Sequence, residues 1–315
     1  MCMIKKVFID GEEGTTGLQI YERLEKHPNI EVIKIDPNKR KNLLEKKEMM
    51  KKADLVFLCL PDDASREAVS IGDELEEDCP IFIDASTAHR TSAMWSYGLP
   101  ELSDEYRNNI NKSNLISVPG CYATGSNLII FPLTKTGLIS CSHQFIIQAV
   151  SGFSGGGKNL IEYQNNNNSP FFYYGLNLNH KHLPEIKFHC GLENNPIFLP
   201  SVANFYQGMI VNLFLTIKDF EKETSFFEIE GIFSDYYQNQ QFIKVKSNDD
   251  IQLPDAFYKP NLIVNSNDVE INIFKNTNSG QLIISANFDN LGKGASAAAI
   301  QCMNLRFGFD EKLGL

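Results

Sequence analysis

The chain has 315 residues, 43% hydrophobic and 22% charged, and its 29 Lys and Arg against 39 Asp and Glu give a formal charge of −10. This length predicts two domains, or one domain with a large insertion, and the apolar content supports a sizeable core rather than disorder. The acidic balance lacks the broad positive field of a nonspecific nucleic-acid binder, and no apolar run reaches the 18 or more residues of a membrane-spanning helix.

The first residues run into a strand-like segment without a signal-peptide pattern. The seven cysteines are scattered, with no CxxC pair, and the six histidines form no HExxH pattern. Neither a disulfide framework nor a zinc site is expected, and the chain reads as a cytoplasmic, metal-free protein in a reducing compartment.

In chain order, the first part alternates buried runs with amphipathic ones. Val7–Ile9 reads as a strand, Gly11–Gly17 as a loop, and Leu18 to Leu24 as a helix ending near His27-Pro28. Strands follow at Glu31–Ile35, Leu55–Leu60, Ile81–Ile83 and Leu115–Val118, with helices at Leu43–Lys52 and Ser65–Leu75. Strands alternating with helices imply βαβ crossovers and a parallel sheet. Beyond about residue 140, apolar runs such as Gln144–Val150, Met209–Ile217 and Val269–Phe274 alternate with polar loops, the texture of an antiparallel sheet carrying helices. The tract Gln164–Ser169 reads as an exposed polar loop, and Gly292–Phe307 as a helix with a small-residue face.

Asp10-Gly-Glu-Glu-Gly-Thr-Thr-Gly17 is a GxxGxxG at the first strand-to-helix turn. Glycines there permit a tight turn and close backbone approach, while the helix N-terminus offers N–H groups to a pyrophosphate. A dinucleotide site is favoured over an ordinary turn. After the second strand, Asp36 suits the ribose 2′-OH of NAD, whereas Lys39, Arg40 and Lys41 suit the 2′-phosphate of NADP. The run of cations tilts the reading to NADP; a solvated loop is the plain alternative.

The segment Ser117-Val-Pro-Gly-Cys-Tyr-Ala-Thr-Gly125 is the most informative. Cys121 would sit at or near the start of a helix covering Ala123–Leu133, and a helix N-terminus stabilises thiolate over thiol. Most of the other cysteines fit the role of small apolar residues; Cys190 is less clear. His180 and His182, two apart before a Pro-initiated helix, supply a candidate acid/base for such a thiolate. Gly152-Phe-Ser-Gly-Gly-Gly-Lys158 fits the opening of a P-loop, but Asn159 stands where Ser or Thr would hold Mg²⁺. It reads better as a backbone-lined turn approaching a ligand. Two lesser segments are Asp84-Ala-Ser-Thr-Ala-His-Arg90, with Arg90 placed for an anion, and Asn290-Leu-Gly-Lys-Gly-Ala295.

Together, in this order, these segments resemble the N-acetyl-gamma-glutamyl-phosphate reductase family of the semialdehyde dehydrogenase superfamily, in its shorter type. The resemblance spans essentially the whole chain, and the PGCYATG and HKHLPEI segments are its specific part. It implies an NADPH-dependent reduction of an acyl phosphate through a thioester on Cys121, with His180 or His182 as acid/base. It implies a cofactor held by Gly11, Gly14, Thr15, Thr16 and Gly17, with Lys39, Arg40, Ser86, Gly155, Gly156 and Asn290, and a substrate met by Arg90, Ser151 and Lys158. It implies a homodimer or homotetramer.

The expected fold is α/β: a Rossmann-type doubly wound domain over 1–120, completed by 287–315, and an α+β substrate domain with a mostly antiparallel sheet over 121–286. Three other readings stand beside this one. They are another acyl-phosphate reductase such as aspartate-semialdehyde dehydrogenase, a P-loop phosphotransferase, and a non-catalytic NADP-binding sensor.

Overall fold

The computed structural model describes residues 4–247 and 257–315. Cys2 lies outside them. The chain divides into two compact units, residues 1–119 with 295–315, and residues 120–294.

The first unit is built on six parallel strands in the order β2-β1-β3-β4-β6-β5. In sequence these are β1 (Lys5–Asp10), β2 (Ile30–Ile33), β3 (Leu55–Leu58), β4 (Ile81–Asp84), β5 (Ser96–Tyr97) and β6 (Leu115–Ser117). Helices α1 (Thr15–Leu24), α2 (Leu43–Lys52), α3 (Asp62–Asp73) and α4 (Asp104–Lys112) connect them. Strand alternation divides the apolar side chains between two faces. Val7, Ile9, Leu55 and Phe57 pack with Ile20 and Leu24 of α1, and with Ala298 and Met303 of the terminal helix. Phe8, Val56, Leu58 and Phe82 pack on the other face with Met50, Ala68 and Trp95. Burial on both faces explains why these strands read as continuous apolar runs.

The second unit is built on seven strands in the order β11-β12-β13-β10-β7-β9-β8. They are β7 (Ile146–Gly152), β8 (Phe171–Tyr173), β9 (Ile197–Ala203), β10 (Met209–Thr216), β11 (Ile243–Ser247), β12 (Val269–Asn276) and β13 (Gln281–Phe288). The β7–β9 and β11–β12 pairs are parallel and the other four antiparallel, so the sheet is mixed with an antiparallel majority. Its helices are α5 (Cys121–Lys135), α6 (Gly157–Asn167), α7 (Leu183–His189) and α8 (Phe226–Tyr237).

Helix α5 lies close on the sheet because residue 125 is glycine. A Cβ there would stand 2.7 Å from Val211 Cγ2 and 2.8 Å from Phe288 Cε1. Pro132 inside α5 has no N–H for the Leu128 carbonyl, and the Tyr237 hydroxyl donates to that oxygen instead at 2.6 Å.

Several boundaries differ from expectation. Strand β2 stops at Ile33, and β13 carries the chain to Phe288 within the second sheet, so residues 287–294 belong with the second unit. The segment expected as one helix over 292–307 is a π-turn at Gly292–Ser296 followed by α9 (Ala297–Phe307). The tract Gln164–Ser169 is not a loop: Gln164–Asn167 form the last turn of α6, and Asn168 ends the helix in the left-handed conformation that Asn tolerates. Gln164 is buried because its amide donates to the Ser169 carbonyl at 2.6 Å. Among the described residues no helix is long and apolar enough to cross a membrane.

Candidate functional site

The second unit holds the candidate nucleophile. Cys121 is the first residue of α5, two residues earlier than the helix start expected at Ala123, behind the N-cap Gly120, which provides no side-chain cap. A Cβ on Gly294 would lie 2.9 Å from Cys121 Cβ, so the absence of a side chain at 294 makes room for the cysteine. The Gly120 N–H donates to the buried Glu185 carboxylate at 3.2 Å, which joins the start of α5 to the first turn of α7.

His180 and His182, both buried, lie immediately before α7. The His182 N–H donates to His180 Nδ1 at 3.2 Å, and His180 Nε2 lies 3.3 Å from the Tyr174 hydroxyl. The two imidazoles are edge to face at 4.7 Å, and Tyr122 lies 5.7 Å from one ring and 6.0 Å from the other. Burial, aided by the Lys181 charge, pushes His180 down to about 4. Burial likewise raises the Tyr122 and Tyr174 hydroxyls, and the nearby Cys121 adds to both shifts.

The glycine-rich turn after β7 is backbone-lined, as expected, but its first amides are engaged by protein. The N–H groups of Gly152, Phe153 and Ser154 donate to the carbonyls of Gly208, Phe205 and Tyr206 at 2.9, 3.0 and 3.2 Å. The phosphotransferase reading is the weaker one because Asn159 stands where a P-loop needs Ser or Thr for Mg²⁺. Gly155 faces Ser151 Oγ and Asn290 Nδ2; a Cβ there would lie 3.1 and 3.2 Å from them. Ser151 is buried and donates to the Gly152 carbonyl at 3.0 Å. Asn290, also buried, accepts from the Gly208 N–H at 2.8 Å and donates to Ser154 Oγ at 3.0 Å, so its amide stitches the turn together. Gly156 and Lys158 are exposed.

The first unit holds the candidate dinucleotide loop. Gly11 ends β1 at φ +94°, where a Cβ would stand 2.4 Å from the Cys59 carbonyl oxygen. A Cβ on Gly17 would stand 2.4 Å from the Gly11 carbonyl oxygen, so helix and turn are in backbone contact. Gly14 caps α1 without a side-chain hydrogen bond, and Thr15 and Thr16 form its first turn. A flat turn against an uncapped helix N-terminus fits a pyrophosphate.

Of the cations after β2, Lys39 pairs with Glu45 at 2.7 Å and Arg40 with Glu13 of the glycine loop, all four side chains largely exposed. The DASTAHR segment is an internal scaffold. The buried Asp84 carboxylate accepts from Ser65 Oγ at 2.8 Å, from Ser86 N and Oγ at 2.9 and 2.7 Å, and from His89 Nδ1 at 2.7 Å. Burial alone would raise this carboxyl; the hydrogen bonds from His89, Ser86 and Ser65 outweigh it and lower the pKa. The Arg90 guanidinium donates to the carbonyls of Val118 at 2.8 Å and Ala85 at 3.0 Å, and so ties down the strand end three residues before Cys121.

Other cysteines have no such setting. Burial, with Asp84 and Asp10 nearby, pushes the Cys59 thiol up to about 12. Burial also raises Cys190, whose Sγ points at Asn127 Oδ1 at 3.3 Å. Sequence reasoning passed over Tyr122, Tyr174 and Glu185. The first and last lie inside the PGCYATG and HKHLPEI segments and were open to notice there, whereas Tyr174 carries no local signal.

The family model described as "Semialdehyde dehydrogenase, NAD binding domain" matches residues 6–111, and "Semialdehyde dehydrogenase, dimerisation domain" matches residues 121–290. The chain belongs to the semialdehyde dehydrogenase family. Among curated proteins it is 41% identical to the N-acetyl-gamma-glutamyl-phosphate reductase of Trichormus variabilis, over 98% of this chain and 99% of that one. It is 40% identical to the protein of the same name from Brucella ovis, over 97% and 100%. Solved structures share the fold at low identity. Aspartate semialdehyde dehydrogenase from Francisella tularensis gives a TM-score of 0.69 at 13% identity, over 96% of this chain and 99% of that one. The Candida albicans enzyme, solved with NADP, gives 0.61 at 13%, over 96% and 98%. The semialdehyde dehydrogenase family supplies an NAD(P)-binding domain and a dimerisation domain, and both match here.

Proposed function

We propose that this semialdehyde dehydrogenase is an N-acetyl-gamma-glutamyl-phosphate reductase, which converts the acyl phosphate to N-acetylglutamate 5-semialdehyde and inorganic phosphate with NADPH. The observation that carries the reading is Cys121 at the first position of a 15-residue helix, with two buried histidines packed around its neighbour Tyr122. The helix N-terminus favours the thiolate, which attacks the acyl carbon; the bond to phosphate breaks and phosphate leaves with the electron pair, so that a thioester forms on Sγ. When bound, the nicotinamide cofactor supplies the hydride that brings this carbonyl to the aldehyde level. The loop carrying His180 and His182 handles the protons. It takes one from the thiol before attack, gives one to the carbonyl oxygen on reduction, and recovers it as the C–S bond breaks.

Gly11, Gly14, Thr15, Thr16 and Gly17 would hold the pyrophosphate, and Lys39 and Arg40 would exchange their exposed carboxylate partners for the 2′-phosphate of NADP. Ser86, Gly155, Gly156 and Asn290 would shape the cofactor side, and Arg90, Ser151 and Lys158 the substrate side. The protein works as a homodimer or homotetramer in the cytoplasm. The open face of the second sheet supports the assembly. Ile146, Phe214 and Ile197 are 47%, 41% and 44% exposed there, in register with Ile283 and Phe274.

The test follows NADP⁺ reduction by N-acetylglutamate 5-semialdehyde in the presence of phosphate, for wild type and Cys121→Ser. Phosphate-dependent activity lost in the variant supports the reading. Activity that survives the substitution refutes Cys121 as nucleophile, and turnover of aspartate semialdehyde in place of the acetylated substrate refutes the specificity. Bound NADP without turnover of either would leave a sensor.

A further inference from the structure

The hydrogen bonds to the His180 ring have a fixed direction. Nδ1 receives the His182 N–H at 3.2 Å, which requires a lone pair there. A neutral imidazole then carries its one proton on Nε2, which lies 3.3 Å from the Tyr174 hydroxyl, so the Tyr174 oxygen is the acceptor. The Tyr122 hydroxyl donates elsewhere, to the Ser201 carbonyl oxygen at 2.9 Å.

We propose that Tyr174, by accepting a hydrogen bond from Nε2, locks His180 as the neutral Nε2–H tautomer, which makes Tyr174 a positioning residue acting through His180. Both nitrogens of His180 are then committed to protein. Its Nδ1 holds the backbone of His182 at the N-cap of α7, while its Nε2 proton is given to Tyr174, which leaves the ring no lone pair for a general-base role.

The surroundings support a neutral ring. Tyr122 from α5, Tyr174 from the segment after β8, and Lys181 and His182 from its own loop are the titratable groups that face it; β9 contributes the apolar Phe198 at 5.1 Å. Burial and the Lys181 charge both disfavour protonation. The inference rests on the proposed reductase only for its catalytic consequence; the tautomer itself belongs to the free protein.

The test is nitrogen-15 NMR of histidine-labelled full-length protein, with the His180 signals assigned from a His180→Gln variant. Wild type should show Nε2 protonated and Nδ1 unprotonated for His180 throughout the range of about pH 5–8 in which an ordinary histidine titrates. In Tyr174→Phe the ring loses its acceptor, so the Nε2 proton should exchange faster with water and the second tautomer should appear.

In activity, Tyr174→Phe should lower kcat on the order of 10-fold, because a His180 that is no longer fixed loosens the backbone that places His182, with KM changed little. A His180 that titrates in that range, or carries its proton on Nδ1, overturns the proposal from wild type alone. So do His180 signals unchanged by Tyr174→Phe. The NMR signature in a protein without reductase activity would leave the tautomer standing and bring down the proposed function; the converse result would do the reverse.

Discussion

Replacing Gly11 by Ala should destabilise the first unit far more than the same change three residues later. At φ +94° an alanine is in a region that costs an L-residue roughly 1–2 kcal/mol. Its Cβ would also stand 2.4 Å from the Cys59 carbonyl oxygen and 2.9 Å from the carbonyl carbon, backbone atoms of the neighbouring β3 exit that have no rotamer to change. Overpacking of that kind adds roughly 1–3 kcal/mol, so the sum is about 2–5 kcal/mol against a total stability of roughly 5–15 kcal/mol. Gly14→Ala meets nothing nearer than 3.4 Å at an N-cap with φ −69°, and should cost only about 0.5 kcal/mol. Gly17→Ala collides with the Gly11 carbonyl oxygen at 2.4 Å but gains roughly 1 kcal/mol of helix propensity, and should fall between them.

The assay is urea unfolding followed by tryptophan fluorescence. The chain has one tryptophan, and Trp95 is buried in the first unit, stacked on His89 at 4.0 Å. The midpoint should drop most for Gly11→Ala, less for Gly17→Ala and least for Gly14→Ala. If Gly14→Ala costs as much stability as Gly11→Ala, the steric account of this loop is wrong.

Two further outcomes follow from the two units. Asp84→Asn removes one of the two carboxylate oxygens, each of which takes two hydrogen bonds, and should cost roughly 3–6 kcal/mol at neutral pH, less whatever is relieved by giving up a buried charge. Because the folded pKa is depressed, the ionised carboxylate stabilises above the unfolded value near 4 and that contribution is lost as pH falls further. Chemical unfolding at stepped pH should therefore show the gap between wild type and variant closing in acid; a gap that widens there would refute the assignment. Gly294→Ala places a Cβ 2.9 Å from Cys121 Cβ and should lower kcat on the order of 100-fold by displacing the thiol, with the rate of thiol alkylation changed in parallel. Wild-type values for both would show that residue 294 does not shape the site.

What could be read from the sequence was what neighbouring residues decide among themselves. Helix α2 runs from Leu43 to Lys52 as its periodicity predicts, Cys121 falls at a helix start because Pro119-Gly120 cannot continue a strand, and alternating apolar runs announce the parallel sheet. The glycine loop is partly local, since the φ of +94° at Gly11 belongs to one turn, whereas the closeness of the Cys59 carbonyl does not. Pattern failed where a local preference was overridden from elsewhere. The Asn-rich tract ends a helix whose C-cap residue, Asn168, is met by the Asn204 amide 36 residues on, and the unit boundary moved from 287 to 295 because β13 pairs with β10 and β12.

The roles within the site were decided by tertiary structure alone. Ser86, expected beside the cofactor, is held by the buried Asp84 carboxylate, two residues away in sequence but on the end of β4. Asn290 finds Gly208 and Ser154 across 82 and 136 residues, and Glu185 finds Gly120 across 65. Periodicity and turn chemistry carry information over a few residues, whereas a hydrogen bond between distant residues exists only once the chain has folded around it. The sequence by itself determined that there is a cysteine at a helix start, with histidines and glycines in a familiar order. Which nitrogen of His180 holds its proton, and through which tyrosine, was settled only by folding.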